Sequence, residues 1–324
     1  MKTKIVYTLV SDENDFYYEQ LLLSLYSLKL HNPNCKAIIV VDQKTYCTLT
    51  EKRNAIFQYI TQIIPVNVPT SYSKMESSRY LKTNLREYIK GDFLFIDTDT
   101  VICNSLEVID NCKENICAVE DWHGSQYTND EYLWDIENIK ATQWYECLES
   151  KRYNSGVMYV KDNEITHNLY KHWHSLWKIS NQKNIKIDQL SLRKANYDCG
   201  FPITSLEGTW NCQISHPNSH KYWHRANIIH YYNKTNTKFI FNDERIYLSI
   251  KIQDDIPSSI KELLTKDHKI LLERYRTIKG HELKYLETNM YLLYLNHPYI
   301  FKLLEGMYNV CHKIHTLLWK FVKK

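Results

Sequence analysis

The sequence predicts an α/β fold with a mostly parallel central sheet and helices on both faces. Strand-like and helix-like segments alternate through the first hundred residues, and four strand-like segments are separated by helical stretches. This order is typical of parallel sheets, in which each strand is followed by a crossover helix. A helical region ends the chain, with apolar residues recurring at helical spacing.

The apolar runs place the elements. The first four strands are predicted at 4–10, 37–42, 62–68 and 93–97, and the helices between them at 16–30, near 44–60 and near 76–90. Three further strands are predicted at 116–120, 156–161 and 226–232, and the chain turns helical from about 258. The polar, aromatic segments between the later strands are long enough to build a cleft.

The composition predicts a folded, soluble protein. The chain has 324 residues, 44% of them hydrophobic and 24% charged, which is enough to bury a sizeable core. No apolar run approaches the roughly 20 residues of a membrane-spanning helix, and no secretory leader is recognisable. Nine cysteines form no C-x-x-C pair, which indicates reduced thiols and a cytoplasmic location. A net charge of +4 is too small to indicate nucleic-acid binding.

Two carboxylates follow the fourth predicted strand. The buried run at 93–96 leads into Asp97-Thr98-Asp99, at the edge where a doubly wound sheet opens its ligand crevice. Carboxylates at this spacing can converge on one hard cation. A solvated strand end is the alternative, because such a triplet occurs by chance in a chain of this length.

Further polar residues mark possible partners of these acids. Asn154, Ser155 and Gly156 precede a buried strand and suggest a turn at which the backbone approaches a ligand. Asp188 and Gln189 begin a helix, where a capping role is the alternative. His230 ends a strand, where a structural hydrogen bond is the alternative to metal ligation. The segment containing Trp210 and Asn211 carries a further polar group.

In order and spacing, these segments resemble the GT-A fold glycosyltransferases, in particular the retaining, D-x-D-containing family 8 type that uses nucleotide sugars. The resemblance spans roughly residues 4–240 and rests on VYTLVSD, SRYLKTNLREYIKGDFLFIDTDTVI, NSGVMYV, DQLSL, TWNCQ and IIHYYNK. It implies a catalytic domain at 1–255, with a donor half at about 1–105 and an acceptor half at about 106–255. The remaining residues, 256–324, are predicted to form a helical region.

The resemblance implies a role for each matching residue. Asp97, Asp99 and His230 would hold Mn²⁺ or Mg²⁺ against the diphosphate of a UDP-sugar. The nucleotide would contact the end of the first strand and the D-x-D segment, at Thr8, Val10, Ser11, Asp12 and Thr98. Arg79 and Lys82 could reach the diphosphate or ribose, with surface helix charges as the alternative.

The donor sugar would meet three more residues: Asn154, Asp188 and Gln189. Gln189 would lie near the anomeric carbon, and because an amide is a poor nucleophile the resemblance favours front-face attack with retention. The family usually follows its metal histidine with glycine and Lys-Pro-Trp, whereas His230 is followed here by YYNKTNTKF. Lys234 or Lys238 would supply the phosphate-binding cation.

Alternatives to a glycosyltransferase of glycans or glycolipids remain. A degenerate module that only binds a glycan or nucleotide would not need the metal ligands, and a two-metal phosphoesterase needs more clustered acids and histidines. The histidines in HPNSHKYWHR at 216–225 have no cysteine or partner pair to complete a zinc site, so this segment is interpreted as a loop near the acceptor cleft. The carboxyl-terminal helix, with lysines beside an apolar face, would contact an anionic membrane surface or pack on protein.

Overall fold

A seven-stranded mixed sheet forms the centre of the computed structural model, which describes residues 1–49, 53–124, 129–216, 218–232, 239–266 and 289–322. Its strand order is β3-β2-β1-β4-β7-β6-β8, and a second, three-stranded sheet has the order β5-β10-β9. The strands are β1 (Lys4–Leu9), β2 (Ala37–Asp42), β3 (Gln62–Val66), β4 (Phe93–Ile96), β5 (Thr100–Ile102), β6 (Ile116–Glu120), β7 (Tyr153–Val160), β8 (Ile203–Leu206), β9 (Cys212–Gln213) and β10 (Ile228–His230).

The large sheet is mostly parallel, as predicted. Strand β1 lies parallel to β2 and β4, β2 to β3, and β6 to β8, whereas β7 is antiparallel to both of its neighbours. All residues of β2 and β4 are buried. Strands covered on both faces need continuous apolar runs, which explains why these two were recognisable in the sequence.

Helices cover both faces of this sheet. On one face, Leu21 and Leu25 of α1 pack in a core with Tyr7 and Ile39, and on the other Trp173 of α6 packs in a core with Val40. The helices are α1 (Tyr17–His31), α2 (Gln43–Thr48), α3 (Lys74–Thr83), α4 (Leu85–Tyr88), α5 (Asn129–Thr142), α6 (Glu164–Gln182), α7 (Gln189–Asp198), α8 (Glu244–Gln253), α9 (Ser258–Thr265), α10 (Asn289–Asn296) and α11 (Pro298–Val322).

The helix predicted near 44–60 is shorter in the structure. Helix α2 ends at Thr48, and in the described part of the segment after it a 3₁₀ turn follows at Ala55–Gln58. Arg53 folds back to donate to the hydroxyl of Thr48, at 2.8 Å, and to the backbone oxygen of Ser11, at 3.4 Å. These tertiary contacts override the helical tendency of the segment.

The N-S-G segment lies inside a strand rather than in a turn ahead of it. Asn154, Ser155 and Gly156 belong to β7, and all three are buried. The register between β6 and β7 shifts between Ala118 and Val119, so the segment forms an irregularity of the β-bulge type. Strands β5 and β9 are absent from the sequence prediction because three and two residues are too few to establish a period, and β8 is absent because only one of its four residues is buried.

The helical region divides into a buried and an exposed part. Ile260 and Leu264 of α9 pack in the core that contains α1. In contrast, Leu303 and Met307 of α11 are 67% and 60% exposed. Among the described helices, none has a stretch both long and apolar enough to cross a bilayer. The domain division at residue 255 stays a prediction.

Candidate active site

A cleft of about 320 Å³ opens at the carboxyl ends of β1 and β4. This volume lies at the lower end of the range for small-molecule sites. The structure brings most of the predicted site residues to its walls. They are Thr8, Val10, Arg79, Lys82, Asp97, Thr98, Asp99, Asn154, Asp188, Gln189 and His230.

Three potential metal ligands converge in this cleft. One ligand atom each from Asp97, Asp99 and His230 lies within 4.8 Å of the other two. Asp97 follows β4, Asp99 precedes β5, and His230 ends β10, which is antiparallel to β5. His230 lies opposite Thr100 in that pairing, so the register of the small sheet places it beside Asp99.

The donor set fits one divalent cation. The Nε2 of His230 lies 3.2 Å from Oδ1 of Asp99, and among the described residues this buried nitrogen has no hydrogen-bond partner. Neighbouring ligands of an octahedral ion with bonds of about 2.1 Å lie about 3.0 Å apart, so the pair has the spacing of two adjacent ligands. Two carboxylates and one imidazole suit Mn²⁺ or Mg²⁺ better than Zn²⁺.

Gly156 makes this convergence sterically possible. A Cβ at this position would lie 2.3 Å from Cε1 of His230 and 2.9 Å from Oδ2 of Asp97. The backbone oxygen of Gly156 accepts the amide of Asp97 at 2.7 Å, which ties the D-x-D segment to β7. The glycine therefore lets three elements meet around one point.

A buried charge network continues from the metal ligands. Lys82 donates to both carboxylate oxygens of Asp97, at 3.1 and 3.0 Å, and its Nζ lies 3.9 Å from Asp188. Asp188 also pairs with Arg79 at 2.9 Å and accepts a hydrogen bond from Ser155 at 2.6 Å. Within this network three carboxylates, counting Asp99, face two cations, and this excess of one negative charge favours a bound cation.

The pKa values of Asp188 and Asp99 reflect these partners. Burial raises the pKa of Asp188, but the charges of Lys82 and Arg79 outweigh it and hold that pKa below its ordinary value. Burial likewise raises the pKa of Asp99, and the interactions with His230 and Lys82 lower it overall. Both side chains are therefore carboxylates at neutral pH.

Asp188 and Gln189 begin α7, as predicted. Asp188 is the N-cap residue of this helix but makes no side-chain capping bond, because its carboxylate turns towards Arg79 and Ser155. The capping alternative therefore does not describe Asp188. Gln189 lines the cleft at the amino-terminal end of α7.

Ser11 and Asp12 do not line this cleft. Ser11 is buried, and its hydroxyl donates to Asp15 at 2.7 Å, while Asp12 pairs with Lys74 at 2.6 Å. Both follow β1, close to Val10 in the wall. Their contact with a nucleotide stays a prediction, and Lys234, with Lys238, lies outside the described residues.

The structure also brings in residues that the sequence analysis did not select. Tyr17, Lys74 and Tyr232 line the cleft. Asp121, at the carboxyl end of β6, accepts a hydrogen bond from Asn154 at 2.9 Å. The rule that singled out Asp97, a polar residue directly after a buried strand, would also have found Asp121.

The histidine-rich segment at 216–225 does not form a metal cluster with other described residues. Within the described ranges, only Asp97, Asp99 and His230 form a group suited to a metal ion. The ring of His216 instead lies between those of Trp122 and Tyr232, at 5.5 Å from each. His216 therefore belongs to an aromatic cluster beside the cleft.

Comparison with solved structures identifies the architecture. The chain aligns with the galactosyltransferase LgtC, solved in complex with donor and acceptor sugar analogues, at a TM-score of 0.52 and 13% identity over 82% of this chain and 97% of LgtC. The chain has the GT-A fold. At this identity the match establishes the fold alone. No protein-family model and no curated protein matches the sequence.

Two other glycosyltransferases align less closely with this GT-A chain. Mouse xyloside xylosyltransferase 1 in its apo form gives a TM-score of 0.49 at 13% identity, over 72% of this chain and 98% of that one. The glycosyltransferase GlyE of Streptococcus pneumoniae TIGR4 gives 0.49 at 13% identity, over 86% of this chain and 66% of that one.

Proposed function

We propose that this protein is a metal-dependent glycosyltransferase of the family 8 type. It transfers a hexosyl group from a UDP-linked sugar to a glycan or glycolipid acceptor, with retention at the anomeric carbon. The observation that supports this most is the convergence of Asp97, Asp99 and His230 at the carboxyl edge of the sheet, in a cleft of small-molecule size. A ligand crevice is expected at this edge in α/β sheets.

The three converging side chains would hold Mn²⁺ or Mg²⁺. A divalent cation held there would supply Lewis-acid chemistry by neutralising negative charge on the diphosphate leaving group. Lys82 and Arg79, both on α3, also line the cleft. Their positive charges would stabilise the negative charge that develops on the leaving group.

Asp188 and Gln189 would orient the donor sugar. Asp188 is 1% exposed, with one oxygen paired to Arg79 and the other bonded to Ser155. A carboxylate held in this way is suited to accept a sugar hydroxyl and poorly placed to attack the anomeric carbon. The arrangement favours front-face attack by the acceptor over a covalent intermediate. A sugar ester trapped on Asp188 would refute this part of the proposal.

The nucleoside would occupy the outer cleft. Thr8 and Val10 at the end of β1, with Thr98 of the D-x-D segment, line this part of the wall. Tyr17 also lines the cleft and is 49% exposed, so its ring is accessible for stacking on a nucleotide base. Lys234 or Lys238, both outside the described residues, would supply the phosphate-binding cation after His230.

A donor screen tests the proposal. The protein is incubated with individual UDP-sugars and Mn²⁺, and free UDP is measured with and without EDTA. The expected result is metal-dependent consumption of one donor in the wild type and its loss in Asp99→Asn. Asp243→Asn is the matched control, because Asp243 caps α8 and pairs with Arg245 outside the cleft.

The outcomes separate the candidate functions. Consumption that is equal in Asp99→Asn and wild type refutes the metal role. Binding of UDP and Mn²⁺ without consumption of any sugar nucleotide identifies the degenerate binding module instead. Once a donor is known, the anomeric configuration of the transferred sugar, read by proton NMR, tests retention.

Helix α11 supports a second, peripheral contact with an anionic membrane surface. Ile300, Leu303, Met307 and Ile314 on this helix are all more than half exposed, and Lys302 and Lys313 lie among them. An apolar helix face flanked by lysines is typical of helices that lie in the membrane interface. Such a contact would bring the cleft to a lipid-linked acceptor.

Vesicle sedimentation tests this contact. Wild type and a chain lacking residues 299–324 are sedimented with vesicles of neutral or anionic lipid. Binding to anionic vesicles should be lost on deletion and weakened by Lys302→Glu with Lys313→Glu. Equal sedimentation of the wild type and the deleted chain would refute the membrane role.

A further inference from the structure

The imidazole of His230 belongs to a chain of buried side-chain amides. Its Nδ1 lies 2.9 Å from Oδ1 of Asn211, and Nδ2 of Asn211 donates to Oδ1 of Asn154 at 2.9 Å. Nδ2 of Asn154 donates in turn to Oδ1 of Asp121 at 2.9 Å, and Asp121 pairs with Arg152 at 2.9 Å. We call Asn211, Asn154 and Asp121 the amide relay.

The ends of the amide relay fix its direction. Oδ1 of Asn154 also accepts the backbone amide of Gly156 at 2.9 Å. Because a backbone N–H only donates and a carboxylate only accepts, Asn154 has one allowed orientation, with Nδ2 towards Asp121. Asn211 must then direct its Nδ2 at Asn154 and its Oδ1 at His230.

We propose that Asn211 is a positioning residue that holds His230 as the Nδ1–H tautomer. An amide oxygen at Nδ1 requires a proton on that nitrogen, which leaves the lone pair on Nε2 directed towards Asp99 and the proposed cation. The purpose of this tautomer rests on the proposed function: a histidine that binds a metal ion through one ring nitrogen usually donates the N–H of the other to a partner such as Asn211. The tautomer itself can be measured without any metal.

Because the amide relay is buried, each of its side chains needs its hydrogen-bond partner. Asn211 is fully buried, and Asn154, Asp121 and His230 are each at most 6% exposed. Water therefore does not replace a lost partner readily, and a buried amide without its partner is costly. The relay also uses the carbonyl oxygen of Asn154 twice, because that oxygen accepts from both Asn211 and Gly156.

The test compares wild type with Asn211→Leu, which keeps the branched shape and the number of side-chain heavy atoms and has no acceptor. Asn32→Leu is the matched control, since Asn32 is also a buried amide with two hydrogen bonds, to Leu106 and Asn104, away from the cleft. The ¹⁵N resonances of His230 are recorded in metal-free protein at a pH where the imidazole is neutral. A His230→Gln variant assigns them.

The wild type and Asn32→Leu should show a protonated Nδ1 and an unprotonated Nε2. In Asn211→Leu the proton should move to Nε2, because Nδ1 loses its acceptor and Asp99 lies 3.2 Å from Nε2. An unprotonated Nδ1 in the wild type overturns the inference even if the Leu variant fails to fold. A protonated Nδ1 that persists in the neutral imidazole of Asn211→Leu overturns it as well.

Metal affinity provides the second readout. Mn²⁺ is titrated in the presence of UDP and followed by electron paramagnetic resonance. Asn211→Leu should bind Mn²⁺ about 10- to 100-fold more weakly than wild type, with Asn32→Leu unchanged. If the tautomer shifts but the wild type binds no Mn²⁺, the assignment of Asn211 stands and the proposed metal role fails. Equal Mn²⁺ affinity in wild type and Asn211→Leu refutes the positioning role.

Discussion

Replacing Gly156 with alanine should disable the candidate metal site through one added methyl group. The new Cβ would lie 2.3 Å from Cε1 of His230, whereas ordinary contacts begin at 3.4 Å. If His230 alone moved, it would have to shift by 3.4 − 2.3 = 1.1 Å. The imidazole cannot move freely, because β10 holds its backbone and Asn211 holds its ring.

The expected effect is large because the methyl group also crowds a second ligand. It would lie 2.9 Å from Oδ2 of Asp97, so two of the three ligands must give way together. Displacing active-site groups by about 1 Å can cost about 100-fold in rate, equivalent to about 2.7 kcal/mol. We therefore expect kcat/KM for metal-dependent donor consumption to fall about 100-fold, together with weaker Mn²⁺ binding.

The matched control is Gly306→Ala on α11. A Cβ at Gly306 meets nothing within 4 Å, and alanine is the better helix former. Donor turnover and Mn²⁺ affinity are measured for both variants, with melting temperature as a check on folding. A folded Gly156→Ala protein with wild-type Mn²⁺ affinity and turnover would show that the three side chains do not act together as a metal site.

Three further predictions follow from the same network. EDTA should abolish donor consumption in the wild type and Mn²⁺ should restore it; activity that persists in EDTA contradicts the metal assignment. Thr100→Val should lower the free energy of unfolding in urea by about 1–3 kcal/mol, because the buried Thr100 hydroxyl bonds Asp97 O at 2.9 Å and Ser24 at 2.8 Å; an unchanged value contradicts this. Burial lowers the pKa of His174 from 6.5 to about 4, so the unfolded chain takes up this proton first as pH falls. The free energy of unfolding is therefore unaffected by His174 above pH 6.5 and falls by up to about 3 kcal/mol as the pH drops towards 4. Urea unfolding of wild type and His174→Gln at several pH values should show this fall in the wild type only.

The buried strands of the large sheet were predictable because their signal is local. The run at 37–42 matches β2 at both ends, and the run at 116–120 matches β6. Each needs only a continuous apolar run bounded by polar residues, since both of its faces are covered by helices. Helix α3 carries a comparable local signal, in which Ser73 and Glu76 form a capping box at its start.

The three candidate metal ligands were predictable because they lie at the ends of strands. Asp97 follows β4 and His230 ends β10, so strand boundaries point to both. The connection between the members of the amide relay has no comparable signal. Asn211 lies between a 3₁₀ turn and the two-residue strand β9, and it meets Asn154 across 57 residues of sequence. Only the folded arrangement shows that the Asn154 amide serves Asn211 and Asp121.

The small sheet explains how distant residues reach one point with the accuracy that a metal site needs. Strand β5 begins directly after Asp99, and the backbone amide of Tyr231 donates to the backbone oxygen of Asp99 at 3.1 Å. This bond and the pairing of His230 with Thr100 fix which side of β10 faces the cleft.

A slip of one residue would reverse that choice. Tyr231 would then enter the cleft, and His230 would enter the aromatic core that Tyr231 forms with Phe239 and Phe241. Tyr231 is 2% exposed, so the slip would expose a buried ring and bury an imidazole among apolar groups at the same time. The core packing of Tyr231 thus sets the register that presents His230 to Asp97 and Asp99, and hydrophobic burial on one side of β10 specifies the polar chemistry on the other.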